Sequence, residues 1–161
     1  MEIQDIRIEL VKREDQTELT AVMKRSFDDD SQRHLGKEKG GPPGYDTGEF
    51  IRVNGFNAKA QTFKALVGGK IAGCIITFPG PNGHHWLGCM FTDPAYQRRG
   101  IGSRLFSHVE KNIPGKSWTL ETPAFALSNH EFYEKKCGFK KIRETDGSEE
   151  PGVQFIYKKK Y

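Results

Sequence analysis

One short segment near the middle of the chain, Gln97–Gly102, limits the possible folds more than any other. It follows the apolar run His85–Thr92, which is typical of a strand and ends at Asp93-Pro94. After it, apolar residues recur at every fourth position, as on one face of a helix: Ile101, Leu105, Val109 and Ile113. The sequence therefore predicts a strand, a glycine-containing loop and a helix in immediate succession.

The same segment has the composition of an anion-binding loop. The first N–H groups of a helix have no partner within the helix, and the helix dipole makes that end positive. Gly100 and Gly102 have no Cβ, so phosphate groups can approach the backbone closely. Arg98 and Arg99 add positive charge beside it. We therefore expect a ligand that carries a pyrophosphate.

Length and composition indicate a single water-soluble domain over residues 1–161. Of the 161 residues, 35% are hydrophobic and 29% are charged. No apolar run reaches the roughly 20 residues that a membrane span requires. The N-terminal Met1–Asp5 has no secretory pattern. We expect a cytoplasmic protein without a membrane partner.

Charge and cysteine content exclude further classes. The net charge of +4 is small, and the basic residues are not interleaved with aromatic ones as in a nucleic-acid-binding surface. The three cysteines, Cys74, Cys89 and Cys137, lack the C-x-x-C spacing of a metal site. We expect reduced thiols, no bound metal and no nucleic-acid partner.

Periodicity along the chain predicts the element order β-α-loop-β-β-β-α-β-α-β-β. A strand at Ile6–Leu10 precedes a helix whose apolar face ends at Phe27. Gly68-Gly69 and Asn82-Gly83 are typical of two hairpin turns. The later elements are a strand at 118–122, a short helix at 129–136, and closing strands at 139–143 and 153–157. This order predicts a mixed α+β sheet with helices on both sides.

The segment Asp28–Gly48 is rich in Asp, Gly, Pro and Lys and is interpreted as a long loop, either functional or disordered. Tyr45 and Phe50 are candidate walls of a substrate pocket. A short helix is predicted over Glu49–Phe56.

Two motifs together carry a resemblance to a known family. Asp93–Gly102 and the downstream Phe132–Phe139 resemble the GCN5-related N-acetyltransferase (GNAT) superfamily. The resemblance implies a mostly antiparallel, splayed sheet of about seven strands and acetyl-coenzyme A (acetyl-CoA) as co-substrate, without a metal. It implies a pyrophosphate loop and a strand that contacts the pantetheine arm and the thioester. The loop is Arg98, Arg99, Gly100, Ile101, Gly102 and Ser103, and the strand residues are Met90, Phe91 and Thr92.

The resemblance also implies a reaction, in which a primary amine attacks the thioester directly in a ternary complex. Glu121 is the expected base and Tyr133 the expected acid. In a member of the superfamily, a glutamate and a tyrosine twelve residues apart have these roles, and Glu121 and Tyr133 have the same spacing. A phenol with a pKa of about 10 can protonate a departing thiolate. His84 or His85, acting through water, is the alternative base.

One position departs from the family pattern. The asparagine that usually contacts coenzyme A is replaced by Ala126, and Asn129 follows three residues later. Asn129 is expected either to contact the cofactor or to cap the short helix.

Two other functions remain open. One is a non-catalytic, CoA-binding sensor of the same fold. The other is a Rossmann-type dinucleotide binder, which the hairpins disfavour, as does Leu105 at the third glycine position. The acceptor, a small-molecule or peptide amine, and a homodimeric state are also left open.

Overall fold

The structure is a computed structural model that describes residues 5–149 and 152–161. It contains three α-helices: α1 (Gln16–Leu35), α2 (Ile101–Asn112) and α3 (Leu127–Glu131), which continues as a π-helical turn (Phe132–Lys136). The strands are β1 (Ile6–Leu10), β2 (Gln61–Val67), β3 (Lys70–Phe78), β4 (His84–Thr92), β5 (Ser117–Pro123), β6 (Lys140–Glu144) and β7 (Gln154–Lys160). The expectation that Met1–Asp5 have no secretory pattern concerns Met1–Gln4, which lie outside the described residues.

The seven strands form one sheet in the order β1-β2-β3-β4-β5-β7-β6. Every neighbouring pair is antiparallel except β4 and β5, which are parallel. The β2–β3 turn contains Gly68 and Gly69 with φ of +58° and +79°, as a tight hairpin requires. The predicted element order and the mixed, mostly antiparallel sheet are confirmed.

The parallel pair is short, and this opens the sheet. Only three residue pairs join the strands, His84–Ser117, His85–Trp118 and Trp86–Thr119. From Leu87 onward, β4 pairs with β3 alone, so its other edge faces a widening gap. The splay expected from the resemblance is therefore present.

A bulge in β4 changes which residues face each side of the sheet. Thr77 pairs with Leu87 and Ile76 with Cys89, so Gly88 is an extra residue. A Cβ on Gly88 would lie 2.6 Å from the Phe78 ring, which only glycine avoids. Residues four apart in a strand normally share a face. Because of the bulge, Leu87 and Phe91 instead belong to separate cores.

The two cores lie on opposite faces of the sheet. Under α2 and the π-turn, the core contains Ile101, Leu105, Val109 and Tyr133. Under α1, it contains Leu19, Val22, Met23 and the π-helical Ile51. The sheet is thus covered by helices on both sides, as predicted.

The prediction of a loop over Asp28–Gly48 is wrong for its first eight residues. Helix α1 continues to Leu35 and ends at Gly36, whose φ of +66° is that of a left-handed helix cap. Side-chain ion pairs one turn apart stabilise the extension: Lys24–Asp28 at 2.8 Å and Arg33–Asp29 at 2.8 Å.

The rest of the segment folds back onto α1. The Asp28 carboxylate accepts hydrogen bonds from the Gly40 amide (3.2 Å) and the Tyr45 hydroxyl (2.5 Å). Tyr45 is buried in the core beneath α1. The short helix predicted over Glu49–Phe56 is present as a π-helical turn at Ile51–Gly55.

A buried ion pair connects the start of α1 to the sheet. The Lys64 ammonium on β2 lies 2.7 Å from the Asp15 carboxylate, and their side chains are 8% and 12% exposed. Asp15 also accepts the Lys12 amide at 2.7 Å. Burial tends to raise the pKa of Asp15, but Lys64 and the Lys12 amide outweigh it and lower the pKa below its ordinary value.

Candidate active site

A cavity of about 590 Å³ lies at the open end of the gap between β4 and β5. Ten of the residues predicted for the site line it: Met90, Phe91, Thr92, Arg98, Gly100, Ile101, Gly102, Ser103, Asn129 and Tyr133. The structure therefore brings together the end of β4, the glycine loop and the helix after β5.

The loop is held at its entrance by Asp93. The Asp93 carboxylate accepts the Ala95 amide at 3.0 Å and pairs with Arg25 of α1 at 2.7 Å. The Asp93 amide in turn donates to the Ala72 carbonyl at 2.8 Å. These three bonds attach the loop to both α1 and β3 before the glycines begin.

Two residues in the loop have left-handed backbones. Arg98 has φ of +63° and Gly100 has φ of +85°. The amide of Arg104 donates to the Gly100 carbonyl at 3.0 Å, which is the first bond of α2. The amides of Ile101, Gly102 and Ser103 are therefore free of helical partners and available to an anion.

Gly102 allows the start of α2 to lie close to the π-turn. A Cβ on Gly102 would lie 2.9 Å from Cζ of Phe132, a ring that also lines the cavity. The close approach of α2 and the π-turn thus depends on glycine at this position. The loop residues fit a pyrophosphate of the kind that coenzyme A carries.

The unpaired edge of β4 is the second feature that suits coenzyme A. Met90, Phe91 and Thr92 line the cavity beyond the last β4–β5 pair, Trp86–Thr119. Backbone groups on that edge have no strand partner in the gap. A ligand with amide groups, such as a pantetheine arm, can form those hydrogen bonds instead.

Tyr133 reaches the cavity from the π-turn and is 8% exposed. Burial raises the pKa of its phenol well above 10, with smaller contributions from Cys89, Cys137 and Asp30. Tyr133 is therefore protonated over the physiological pH range and can act as a proton donor.

Asn129 lies within α3, with its amide donating to the Thr122 hydroxyl at 3.3 Å. The helix begins at Leu127 and Ala126 occupies the N-cap position, so the capping role considered for Asn129 is wrong. Its position in the cavity lining leaves cofactor contact as a prediction.

Four predicted site residues lie outside the cavity lining. Glu121 is exposed on β5, and alternation places it on the face opposite its buried neighbour Leu120, which is the face that carries α1. Arg99 is exposed on the loop. Tyr45 is bonded to Asp28, and Phe50 packs against the core beneath α1.

The two histidines lie at the closed end of the splay. His84 begins β4, and the nine-residue strand places it about 26 Å from Thr92. Both ring nitrogens of His85 are occupied: the Gly80 amide donates to Nδ1 at 3.1 Å, and Nε2–H donates to the Pro114 carbonyl at 3.0 Å. These positions argue against either histidine as the base.

The sequence reasoning missed the contribution of α1 to the cavity. Ser26, Phe27, Asp30 and Arg33 line it from the sheet face opposite α2. The sequence did contain a signal that the helix extends this far. The acidic run Asp28–Asp30 is followed by Arg33, and charge pairs at i, i+3 and i+4 favour a helix.

No helix within residues 5–149 and 152–161 has the length and apolar character that crossing a membrane requires. Within the same ranges, no three His, Cys, Asp or Glu side chains form a group that could hold a metal ion.

Comparison of the sequence with known families identifies the class of protein. Residues 20–139 match the profile described as the acetyltransferase (GNAT) family. The chain belongs to this family of acetyltransferases.

One relative is similar to part of the chain. An uncharacterised protein of Bacillus subtilis, YrkN, is 32% identical over 87 residues, which cover 52% of this chain and 47% of YrkN. The chain thus spans about half the length of that relative.

Two solved structures share the fold. The PaiA N-acetyltransferase of Thermoplasma acidophilum, solved in complex with coenzyme A, superimposes with a TM-score of 0.77 at 22% identity, over 98% of this chain and all of that one. The ribosomal-protein-S18-alanine N-acetyltransferase of Escherichia coli gives 0.72 at 20% identity, over 96% of this chain and 92% of that one. At these identities, the likeness concerns the fold.

Proposed function

We propose that this protein is an N-acetyltransferase that transfers the acetyl group of acetyl-CoA to a primary amine in a ternary complex. One observation carries the proposal: the glycine loop, the unpaired edge of β4 and the protonated Tyr133 line a single cavity. The free thiols are in keeping with a cytoplasmic location.

The reaction requires a neutral amine, a polarised carbonyl and a protonated leaving group. An alkylamine with a pKa of about 10.4 loses its proton at pH 7 at a free-energy cost of roughly 4–5 kcal/mol, so a base must accept that proton. Tyr133 is the proposed acid for the thiolate. Glu121 is the base expected from its spacing to Tyr133, on the sheet face that carries α1.

The segment Asp28–Gly48 is proposed to shape the acceptor site, with Tyr45 and the following Phe50 as apolar residues of that site. Deleting Gly40–Gly44 is expected to change the preference among amines more than the affinity for acetyl-CoA. Equal losses in both would contradict this role.

The first experiment measures cofactor binding. Wild-type protein is titrated with acetyl-CoA by calorimetry beside Gly100→Glu and Gly102→Glu, which place a carboxylate where the pyrophosphate is expected. Gly69→Glu is the matched control, because Gly69 also has a positive φ (+79°) but lies in the β2–β3 turn, with nothing within 4 Å of its added Cβ. Binding that is lost in the two loop variants and kept in the control supports the proposal. Binding that is indifferent to both loop variants refutes it.

The second experiment measures catalysis. Release of free thiol is followed with kanamycin, spermidine, lysine and a hexapeptide with a free N-terminal alanine. Tyr133→Phe is expected to lower kcat by about 100-fold or more, the usual contribution of a general acid. Binding of acetyl-CoA without turnover of any amine would favour the sensor alternative.

A further inference from the structure

The cavity passes through the sheet. On one face it is lined by Ser26, Asp30 and Arg33 of α1. On the other face it is lined by the start of α2 and by Tyr133 of the π-turn. A single space can reach both faces because β4 and β5 are unpaired beyond Trp86–Thr119.

The two sheet faces contribute different chemical groups to the cavity. The free amides at the start of α2 lie on the α2 side, so a CoA thioester is expected to enter there with its acyl end directed into the gap. An amine that attacks the acyl carbon must then approach from the side of α1. A group that accepts the amine proton is therefore expected on α1.

Asp30 is the carboxylate of α1 that lines the cavity, whereas Glu121 lies on the same sheet face but outside the lining. The Asp30 side chain is 23% exposed, and two basic side chains approach the same oxygen, Oδ1: Arg33 Nη2 at 2.9 Å and His34 Nδ1 at 3.7 Å. Among the described residues, no donor is hydrogen-bonded to Oδ2. That oxygen is available to a bound amine.

Asp30 and Tyr133 face the same space. Both residues line the cavity, Asp30 from α1 and Tyr133 from the π-turn. The other charged groups that line the cavity are Arg33 of α1, Arg98 of the loop, and Glu131, Lys135 and Lys136 from α3 and the π-turn.

We propose that Asp30, rather than Glu121, receives the proton of the attacking amine. This inference rests on the proposed acetyl transfer. Asp30 lines the cavity that Tyr133 also lines, whereas Glu121 is exposed and outside it.

Asp30 and Tyr133 together account for both proton transfers in the acetyl transfer. The amine nitrogen forms a bond to the acyl carbon, and its proton passes to the Asp30 carboxylate. The bond from the acyl carbon to sulfur breaks, and the Tyr133 phenol proton passes to the departing thiolate. Asp30 then releases its proton and the phenolate regains one, both by exchange with water.

The environment of Asp30 suits a base. Burial raises its pKa above the ordinary value for aspartate, while His34 and Arg33 act in the opposite direction. A carboxylate with a raised pKa is a better proton acceptor near neutral pH than one with an ordinary pKa.

The test compares Asp30→Asn with two matched variants. Asp29→Asn removes the same charge one residue earlier. It also removes the other carboxylate that pairs with Arg33 (Nε to Oδ2, 2.8 Å), yet Asp29 does not line the cavity. Glu121→Gln removes the rival base. For each variant, kcat is measured against pH with the best amine of the panel above, and the Kd for acetyl-CoA is measured by calorimetry.

We expect Asp30→Asn to lower kcat by about 100-fold or more and to remove the acidic limb of the kcat profile, with Kd changed less than about threefold. Asp29→Asn should stay within about threefold in both quantities, and Glu121→Gln should lower kcat by much less than Asp30→Asn does. Asp30→Glu should recover part of the lost rate, because it restores the carboxylate.

Three results would overturn the inference: a kcat near wild type in Asp30→Asn, an equal loss in Asp29→Asn, or the hundredfold loss in Glu121→Gln instead. If the wild-type protein binds acetyl-CoA but acetylates no amine, the proposed function fails together with the inference. If the wild type and Asp30→Asn are equally active, the inference alone fails.

Discussion

The ion pair between Lys64 and Asp15 gives a quantitative prediction about stability. Lys64→Met keeps most of the side-chain volume but leaves the Asp15 carboxylate, only 12% exposed, without its cation. Breaking a buried pair from one side costs about 3–5 kcal/mol. Asp15 keeps its bond from the Lys12 amide, so the lower end, about 3 kcal/mol, is expected. For a chain of this size, that lowers Tm by about 6–12 °C.

The pH dependence separates this mechanism from a simple loss of packing. In the wild type the pKa of Asp15 is lowered, so its contribution is present above the unfolded-state pKa and is lost as pH falls through the folded-state pKa. In Lys64→Met burial dominates and the pKa rises, so protonation at acidic pH relieves the unpaired charge. The difference in unfolding free energy should therefore shrink between pH 7 and about pH 3.5.

The assay is urea unfolding followed by circular dichroism at both pH values. Asp15→Asn combined with Lys64→Met is the control, and it should be more stable at pH 7 than Lys64→Met alone because the uncompensated charge is absent. A loss below about 1 kcal/mol at pH 7, or a loss that does not change with pH, would refute the reasoning.

Three further predictions follow from contacts described above. Burial raises the pKa of all three thiols, to about 12 for Cys89 and Cys137, so a thiol reagent at pH 8 should titrate fewer than one thiol per folded chain within minutes and all three after denaturation. His85→Phe leaves the Gly80 amide and the Pro114 carbonyl unpaired and should destabilise the fold by about 1–3 kcal/mol; a changed acidic limb of kcat would contradict its structural role. Tyr45→Phe removes a hydrogen bond to a charged acceptor and should cost about 1.5–3 kcal/mol in urea unfolding; because Tyr45 is not in the cavity lining, a weakened affinity for acetyl-CoA would count against this assignment.

Local signals were sufficient for the elements that form hairpins and helices. The buried face of α2, with Ile101, Leu105 and Val109, was readable from its spacing. The turn at Gly68-Gly69 was predicted because both glycines accept a positive φ. The glycine loop was also readable, since both its backbone freedom and its place before a helix are local properties.

The end of α1 was not predicted, because the apolar periodicity stops at Phe27. The last two turns are held by charge pairs such as Arg33–Asp29, and an amphipathic pattern does not reveal them. Asp30 was missed for the same reason, since it lies in the part of α1 that was interpreted as a loop.

The cavity itself depends on strand register, which no local pattern specifies. The three-pair contact of β4 with β5 sets where the gap begins, and the bulge at Gly88 sets which β4 side chains face each core. An isolated glycine in a strand is a known signal of a bulge. Which side of the sheet the following side chains face, however, can be determined only when the neighbouring strands are in place.

The short seam between β4 and β5 has a mechanical consequence. It divides the sheet into two ribbons, β1–β4 and β5–β7–β6, joined by backbone bonds at one end only. At the other end, the ribbons are bridged through α1: Arg33 donates to Gln97 at 3.4 Å, and the Ser128 hydroxyl lies 3.3 Å from His34 Nε2. The core beneath α2 contains residues of both ribbons, such as Leu87 and Leu120, and so joins them on that face. A ligand that fills the gap acts as an additional strand, and the stiffness of the molecule then depends on whether that strand is in place.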